Sequence, residues 1–335
     1  MLKKAVFMTN GVGNIPNVYP EEIQNRLRAQ VELLPGIVTE SDLEARRDDL
    51  KEVEVLFSTW GMLPLTEEQI KTYLPKLQYV FYAAGSVQYF ARPFLNLGIK
   101  VFSAWAANAV PVAEYAVAQI VLAGKGFFQS ARRYYMKDRS AAATFTAGQP
   151  CNYDIRVGLI GAGMIGKMVA ERLQDYEYEV LVYDPFVSDE TLAALGAKRA
   201  ELAEIFATCQ IISNHVANLP STVGMINAQL LHSMLPNATF INTGRGAQVD
   251  ENALIQAMID EPDRTAVLDV TFPEPPVEGS PLLTLPNIFM TPHIAGSLGK
   301  EVARMGKYMA IECEKTLAGQ PTQYEVTLKM LETMA

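Results

Sequence analysis

Short apolar runs alternate with amphipathic stretches along most of the chain. In the first third, "KAVFMT", "VEVLFST", "LQYVFYAAG" and "IKVFSA" are rich in Val, Phe and Tyr and bounded by turn residues, which predicts buried strands. Between them, "PEEIQNRLRAQVELL" and "LTEEQIKTYLPKL" place apolar residues at helical spacing. The second opens at Thr66, with Glu68 and Gln69 in its first turn, where capping and acidic groups favour a helix N-terminus. The pattern returns more strongly in the middle. There "RVGLIG", "EVLVYD", "QIISNHV", "ATFINTG", "TAVLDV" and "NIFMTPH" predict strands, and "MIGKMVAERLQDY" and "DENALIQAMID" predict helices between them. Strand–helix alternation implies a parallel sheet covered by helices.

Two such stretches predict an α/β chain of two Rossmann-like or flavodoxin-like domains with parallel sheets. A long helical stretch from about Pro111 to Tyr135 precedes the second; Pro111 suits a first helical turn. The end, "GSLGKEVARMGKYMAIECEKTLAG", predicts another long helix that stops at Gly319 before Pro321. If that helix returns to the first domain, the second domain is inserted within the first. The expected boundaries are 1–105 plus 299–335 for the first domain and 106–298 for the inserted one.

Composition narrows the function. A length of 335 residues suits two domains, and 49% apolar with 19% charged residues is ordinary for a globular chain. The net charge of −9 argues against a nucleic-acid or anionic-membrane surface; Arg132-Arg133 is an isolated basic pair. Cys151, Cys209 and Cys313 are scattered without CxxC spacing, which fits free thiols in a reducing compartment and offers no zinc site. The apolar run before Thr9 is too short for a signal peptide, and "YAVAQIVLAG" is about half of a membrane span. The expectation is a cytoplasmic protein without membrane, metal or nucleic acid.

"RVGLIGAGMIGKMVAERL" holds Gly161, Gly163 and Gly166 in G-x-G-x-x-G spacing, after a strand and at a helix start. In that setting the first glycine makes a tight turn, the second lets backbone approach a pyrophosphate and the third lets helix and strand pack. Asp184 ends the next strand, eighteen residues on (184 minus 166). A carboxylate there can accept both ribose hydroxyls of NAD and would repel a 2′-phosphate. No Arg or Lys follows in "DPFVSDE", so NAD is expected over NADP.

Three later strand ends carry ionisable residues: Arg245 in "FINTGRGAQVD", Asp269 and Glu274 in "VLDVTFPEPP", and His293 in "MTPHIAGS". These residue types suit one reaction. Arg245 would anchor a keto-acid carboxylate through its planar fork. His293 would exchange a proton with the carbonyl oxygen as hydride moves, and Glu274 would hold the imidazole. Of the other two histidines, His232 reads as a surface residue and His215 as a loop residue that touches cofactor without catalytic work.

From "NAVPVAEYAVAQIVLA" through the glycine motif, "NHVANLPSTVGMIN", "LLHSMLPNATFINTGRGAQVDENALIQAM", "LDVTFPEPP" and "TPHIAGS", the chain resembles the D-isomer-specific 2-hydroxyacid dehydrogenase family. The resemblance implies an NAD-dependent 2-hydroxyacid dehydrogenase or 2-keto acid reductase, with Arg245, Glu274 and His293 in the family's catalytic places. It also implies NAD contacts from Met164, Ile165, His215, Val216, Thr222, Thr243 and Asp269, the last on the nicotinamide carboxamide. Family members are commonly homodimers joined through the nucleotide-binding domain, and the apolar helix from Pro111 would suit such a surface.

The pattern departs from the family in the first domain. A glycine-x-glycine loop is expected after the fourth strand. Here "FYAAGSVQYF" has Ala84 and Ser86 outside the one remaining Gly85. Trp60 and Met62 in "STWGMLPL" would make a second substrate loop bulky and apolar, and no basic cluster nearby receives a phosphate. A keto acid with an uncharged side chain is expected. The length leaves no room for the regulatory domain of some phosphoglycerate dehydrogenases, and formate dehydrogenases carry glutamine where Glu274 stands. Two other readings share the fold: an NAD(H)-sensing corepressor-like binding protein and a phosphite-type dehydrogenase.

Overall fold

Each of the ten apolar runs quoted above forms a strand. The computed structural model describes residues 2–149 and 151–332, in two compact units: Met1–Ala109 with Ser297–Ala335, and Val110–Gly296.

The first unit contains β1 (Lys4–Met8), β2 (Glu32–Val38), β3 (Val55–Ser58), β4 (Tyr79–Tyr82) and β5 (Lys100–Ser103), with the short strand Glu325–Val326 from the end of the chain. Their order is Glu325–Val326, β5, β4, β3, β1, β2; all neighbours are parallel except the Glu325–Val326 pairing with β5. The strand β2 corrects the helix expected over Pro20–Leu34. That helix covers only Glu21–Arg28, and the following residues form the edge strand beside β1. Helical spacing ran on through Val31, Leu33 and Leu34, but Pro35 and Gly36, with φ of 74°, suit an edge strand rather than a helix interior.

The second unit is a seven-stranded, wholly parallel sheet of β6 (Tyr153–Ile160), β7 (Glu177–Tyr183), β8 (Ala197–Arg199), β9 (Ile211–Asn214), β10 (Thr239–Asn242), β11 (Thr265–Leu268) and β12 (Ile288–Met290). The order β12-β11-β10-β9-β6-β7-β8 reverses direction at β6, the topological switch point of a doubly wound sheet. The short β8 was not legible because Ala197-Lys198-Arg199 has no apolar run.

One helix runs from the first unit into the second. Trp105–Gly124 starts upstream of Pro111, so that proline lies inside the helix rather than in its first turn. The helix ends before Gly126, whose left-handed backbone (φ of 63°) starts a separate helix, Phe127–Tyr135. Trp105–Gly124 is long and apolar enough to cross a membrane, but half of its most apolar window is buried in the protein. Ala113, Ala116 and Ile120 lie in the core of the second unit. The C-terminal helix Val302–Leu317 packs Val302, Met305 and Met309 against Phe7, Tyr19 and Phe57 of the first unit. Residues 110–296 are therefore inserted between two parts of the first unit.

Candidate active site

The glycine loop joins β6 to the helix Met164–Leu173. Gly161 has a φ of 93°, and a Cβ there would meet the backbone of His215 and Val216 at 3.0 Å. A Cβ on Gly166 would lie 2.0 Å from the Gly161 carbonyl oxygen, so helix and loop touch because no side chain intervenes. A Cβ on Gly163 would meet nothing within 4 Å. The backbone is open at that one point, beside helix N–H groups that no side chain caps. That surface fits an anionic diphosphate such as NAD carries.

Asp184 follows β7 directly. Its Oδ2 accepts the Ala162 N–H at 2.7 Å and its Oδ1 the N–H groups of Phe186 and Val187 at 2.8 and 3.0 Å. The carboxylate therefore braces the glycine loop as well as the turn it heads. Arg199, at the end of β8, reaches the same turn: it donates to the carbonyl oxygen of Asp184 at 2.6 Å, to that of Val187, and to Asp189 Oδ1 at 2.6 Å. "DPFVSDE" contains no basic residue, yet the fold brings one to it. Sequence separation hid Arg199, because β8 itself was hidden.

His215 is buried, and burial pushes its pKa down to about 4, so it is neutral near pH 7. Its Nδ1 lies 3.5 Å from Thr243 Oγ1. Thr222 turns inward: its hydroxyl donates to the carbonyl oxygen of Ala217 at 2.7 Å and its oxygen accepts the Leu219 N–H at 3.0 Å. Met164 is exposed, while Ile165 and Val216 are half-buried. His232 is exposed at the helix Ala228–Ser233, with Nδ1 2.7 Å from the Ala228 carbonyl oxygen and Nε2 3.3 Å from Asp260.

Arg245, Glu274 and His293 follow β10, β11 and β12, three adjacent strands. Sheet order thus gathers what the chain separates. Gly246 sets the first loop against the second: a Cβ there would lie 2.0 Å from the Thr271 carbonyl carbon and 2.5 Å from the Phe272 nitrogen. The segment continues through two cis bonds, Phe272-Pro273 and Glu274-Pro275, which bracket Glu274. Glu274 Oε1 lies 2.8 Å from His293 Nδ1, with both side chains partly open to solvent. Nδ1 faces the carboxylate, so Nε2 remains for a ligand. Arg245 is half-buried and donates to its neighbour's carbonyl oxygen, Gly244 O, at 2.8 Å; among the described residues no carboxylate pairs with it.

His293 has left-handed backbone, with φ of 57°. Non-glycine residues seldom adopt it, and it persists where surroundings over-determine it. Asp269 supplies them. Its carbonyl oxygen accepts the His293 N–H at 3.0 Å. Its buried carboxylate accepts the Thr291 hydroxyl at 2.6 Å and the N–H groups of Ile294 and Ala295 at 2.7 and 2.9 Å. The Thr291 proton points to a carboxylate that only accepts, so Tyr115, 3.0 Å away, donates to Thr291.

Beneath the Arg245 loop lies a buried amide cluster of Asn214, Asn242 and Gln248, which sequence reading did not single out. Asn214 Nδ2 donates to Gln248 Oε1 at 2.6 Å and to Asn242 Oδ1 at 3.0 Å. Leaving one such buried amide unpartnered costs about 1–3 kcal/mol.

In the first unit, Ala84 lies wholly in the core, its carbonyl oxygen accepting from Ser103 Oγ at 2.9 Å and Ala104 N–H at 3.0 Å. Its side chain packs in the core of the first unit. Gly85 and Ser86 are half-buried and Trp60 is exposed. Met62 packs in the core with Leu63 and Leu65, so it does not add to an apolar surface.

An archaeal D-3-phosphoglycerate dehydrogenase from Archaeoglobus fulgidus is 33% identical over 239 residues, 70% of this chain and 44% of that protein. The chain thus spans less than half the length of that relative. The apo form of Rhodotorula graminis D-mandelate dehydrogenase superposes with a TM-score of 0.82 at 20% identity, over 97% of both chains. The NAD-complexed D-isomer specific 2-hydroxyacid dehydrogenase of Lactobacillus delbrueckii ssp. bulgaricus gives 0.75 at 20% identity, over 96% of this chain and all of that one (100%). Residues 121–295 match the D-isomer specific 2-hydroxyacid dehydrogenase, NAD binding domain. As that match covers more than half of its length, the chain belongs to the D-isomer specific 2-hydroxyacid dehydrogenase family.

Proposed function

We propose that the protein is an NAD(H)-dependent reductase of 2-keto acids to D-2-hydroxy acids, running in reverse as a dehydrogenase. The observation that carries this reading is the pairing of His293 with Glu274, with the half-buried Arg245 on the third of three neighbouring strand ends. NADH supplies the hydride when bound. Arg245 holds the carboxylate of the keto acid and turns its carbonyl toward His293. His293 Nε2 gives the carbonyl oxygen its proton while Nδ1 stays on Glu274, and the oxidation returns the proton to Nε2. The open backbone at Gly163, with Met164 and Ile165 beyond it, would hold the diphosphate, and Asp184 the ribose, which favours NAD over NADP. His215, Val216, Thr222, Thr243 and Asp269 would line the rest of the cofactor site.

For the substrate we assign Gly85, Ser86 and Trp60 as further contacts, and a keto acid with an uncharged side chain. The Archaeoglobus relative's name points to a phosphorylated substrate, so the choice is open to direct measurement. A panel of 2-keto acids, with and without a phosphate, is followed by NADH absorbance. Turnover of uncharged keto acids supports the reading. Tight NADH binding without turnover of any of them would sink it in favour of a cofactor-sensing protein.

We also propose a cytoplasmic homodimer joined through the second unit. Leu122 is exposed and Val117 half-buried on helix Trp105–Gly124, beside Arg172 and the exposed Tyr176, a mixed surface of the kind that subunits cover. Three scattered cysteines, two of them buried, suit a reducing compartment.

A further inference from the structure

Asn214, Asn242 and Gln248 have 0, 1 and 0% of their surface exposed. Buried amides are costly unless every polar atom is used, and here backbone partners leave no choice of orientation. Gln248 Oε1 accepts the Arg245 N–H at 3.0 Å, so its Nε2 faces and donates to the Val216 carbonyl oxygen at 2.8 Å. Asn242 Oδ1 accepts the Gly244 N–H at 3.0 Å and its Nδ2 donates to the Arg245 carbonyl oxygen at 3.2 Å. Asn214 Oδ1 accepts the Val216 N–H at 3.3 Å, and its Nδ2 feeds the other two amides. Asn214 and Asn242 end paired strands at the same register. The cluster fills the space beside Gly244 so fully that a Cβ there would lie 2.6 Å from Gln248 Oε1.

Both the N–H and the carbonyl of Arg245 are therefore held by side chains, and the same glutamine holds the loop that follows β9. An apolar residue at these places would fill the volume with no desolvation cost, yet could grip neither loop.

We propose that Asn214, Asn242 and Gln248 are positioning residues for Arg245, and that Gln248 couples the Arg245 loop to the His215–Val216 loop, so that bound cofactor sharpens recognition of the substrate carboxylate. This rests on the reading of Arg245 as the carboxylate anchor. Cofactor that settles on the His215–Val216 loop fixes Val216, Val216 fixes Gln248, and Gln248 fixes the backbone of Arg245. A misplacement of about 1 Å at such an anchor costs up to about 100-fold in rate.

The test uses the full chain and two variants, Gln248→Leu and Asn214→Leu/Gln248→Leu. Both variants take the partner from the Arg245 N–H and the Val216 carbonyl, and the double one also from the Val216 N–H, so the thermal melting of each is read alongside the binding data. Three quantities are read: NADH affinity by fluorescence, KM and kcat for the best keto acid, and the affinity of oxamate for the protein with and without NADH. The wild type should bind oxamate more tightly once NADH is bound. In both variants that enhancement should vanish and keto-acid KM should rise about 10- to 100-fold, while NADH affinity falls far less. A natively melting double variant with wild-type KM and wild-type enhancement overturns the proposal. Equal losses of NADH and keto-acid affinity also overturn it, because they mark general loosening. A wild type that neither turns over keto acids nor binds oxamate removes the reading of Arg245, and the proposal with it; a variant-only failure leaves that reading intact.

Discussion

His293 Nδ1 stands 2.8 Å from Glu274 Oε1, although nineteen residues separate the two in the chain. The pair leaves Nε2 as the nitrogen that meets substrate. Replacing His293 by Asn should lower kcat by about 10²- to 10⁴-fold, the usual size of acid–base assistance. Asn tolerates left-handed backbone, so the loop should keep its shape. NADH affinity, measured by fluorescence titration, should stay near wild type; its collapse would mark a structural histidine instead.

Asp184 and Arg199 meet at one turn. Asp184→Ala removes the charge that repels a 2′-phosphate and also the acceptor of the Ala162 N–H. NADH should bind more weakly, and the NADPH-to-NADH affinity ratio should rise about tenfold, the scale of one close charge interaction that water largely screens. Adding Arg199→Ala should take the gained NADPH affinity away. A wild type that already prefers NADPH would contradict the role given to Asp184.

Thr291 passes a hydrogen bond from Tyr115 to Asp269, under the loop that carries His293. Thr291→Val keeps the shape and loses a hydroxyl bonded to a carboxylate, worth about 1.5–3 kcal/mol. The unfolding midpoint in denaturant should fall accordingly, with kcat falling more than KM rises. Thr291→Ser should restore both. Equal behaviour of Val and Ser would show that the hydroxyl is irrelevant.

His215 ties stability to pH. Burial lowers its pKa from 6.5 to about 4 in the folded state. Between those values the unfolded chain takes up a proton that the folded chain refuses, so stability is full above pH 6.5 and declines as pH drops toward 4. From pH 7 to 5.5 the loss should be about 1 kcal/mol, seen as a lower denaturant midpoint. His215→Leu should flatten that slope; an unchanged slope would place the titration elsewhere.

How much was legible depended on whether a signal was local. The strands β1, β3 to β7 and β9 to β12 were legible because each is an apolar run bounded by turn residues, and Thr66 because its Gln69 closes a capping box. Two edge strands were not: β2 contains Pro35 and Gly36, and β8 has a single apolar residue, whereas the edge strand β12 keeps an apolar run. Among the site residues, Gly161, Gly163 and Gly166 were readable from spacing, since backbone geometry itself requires glycine there. The burial of the Ala84 side chain was not, because the same loop carries one core side chain beside half-buried residues, and sequence does not say which.

By itself, then, the chain's sequence determined the alternation of strands and helices, the glycine turn, and a set of ionisable residues at three strand ends. These follow from forces that act within a few residues: side-chain periodicity, turn chemistry and the lack of a Cβ. Only the tertiary structure decided that Glu274 faces His293, that Arg199 reaches the Asp184 turn, that Asp269 clasps the loop of His293, and that Asn214, Asn242 and Gln248 hold both sides of Arg245. Those are hydrogen bonds between residues whose strands become neighbours through sheet order. No local pattern announces them, because each needs two segments that only the sheet order brings together.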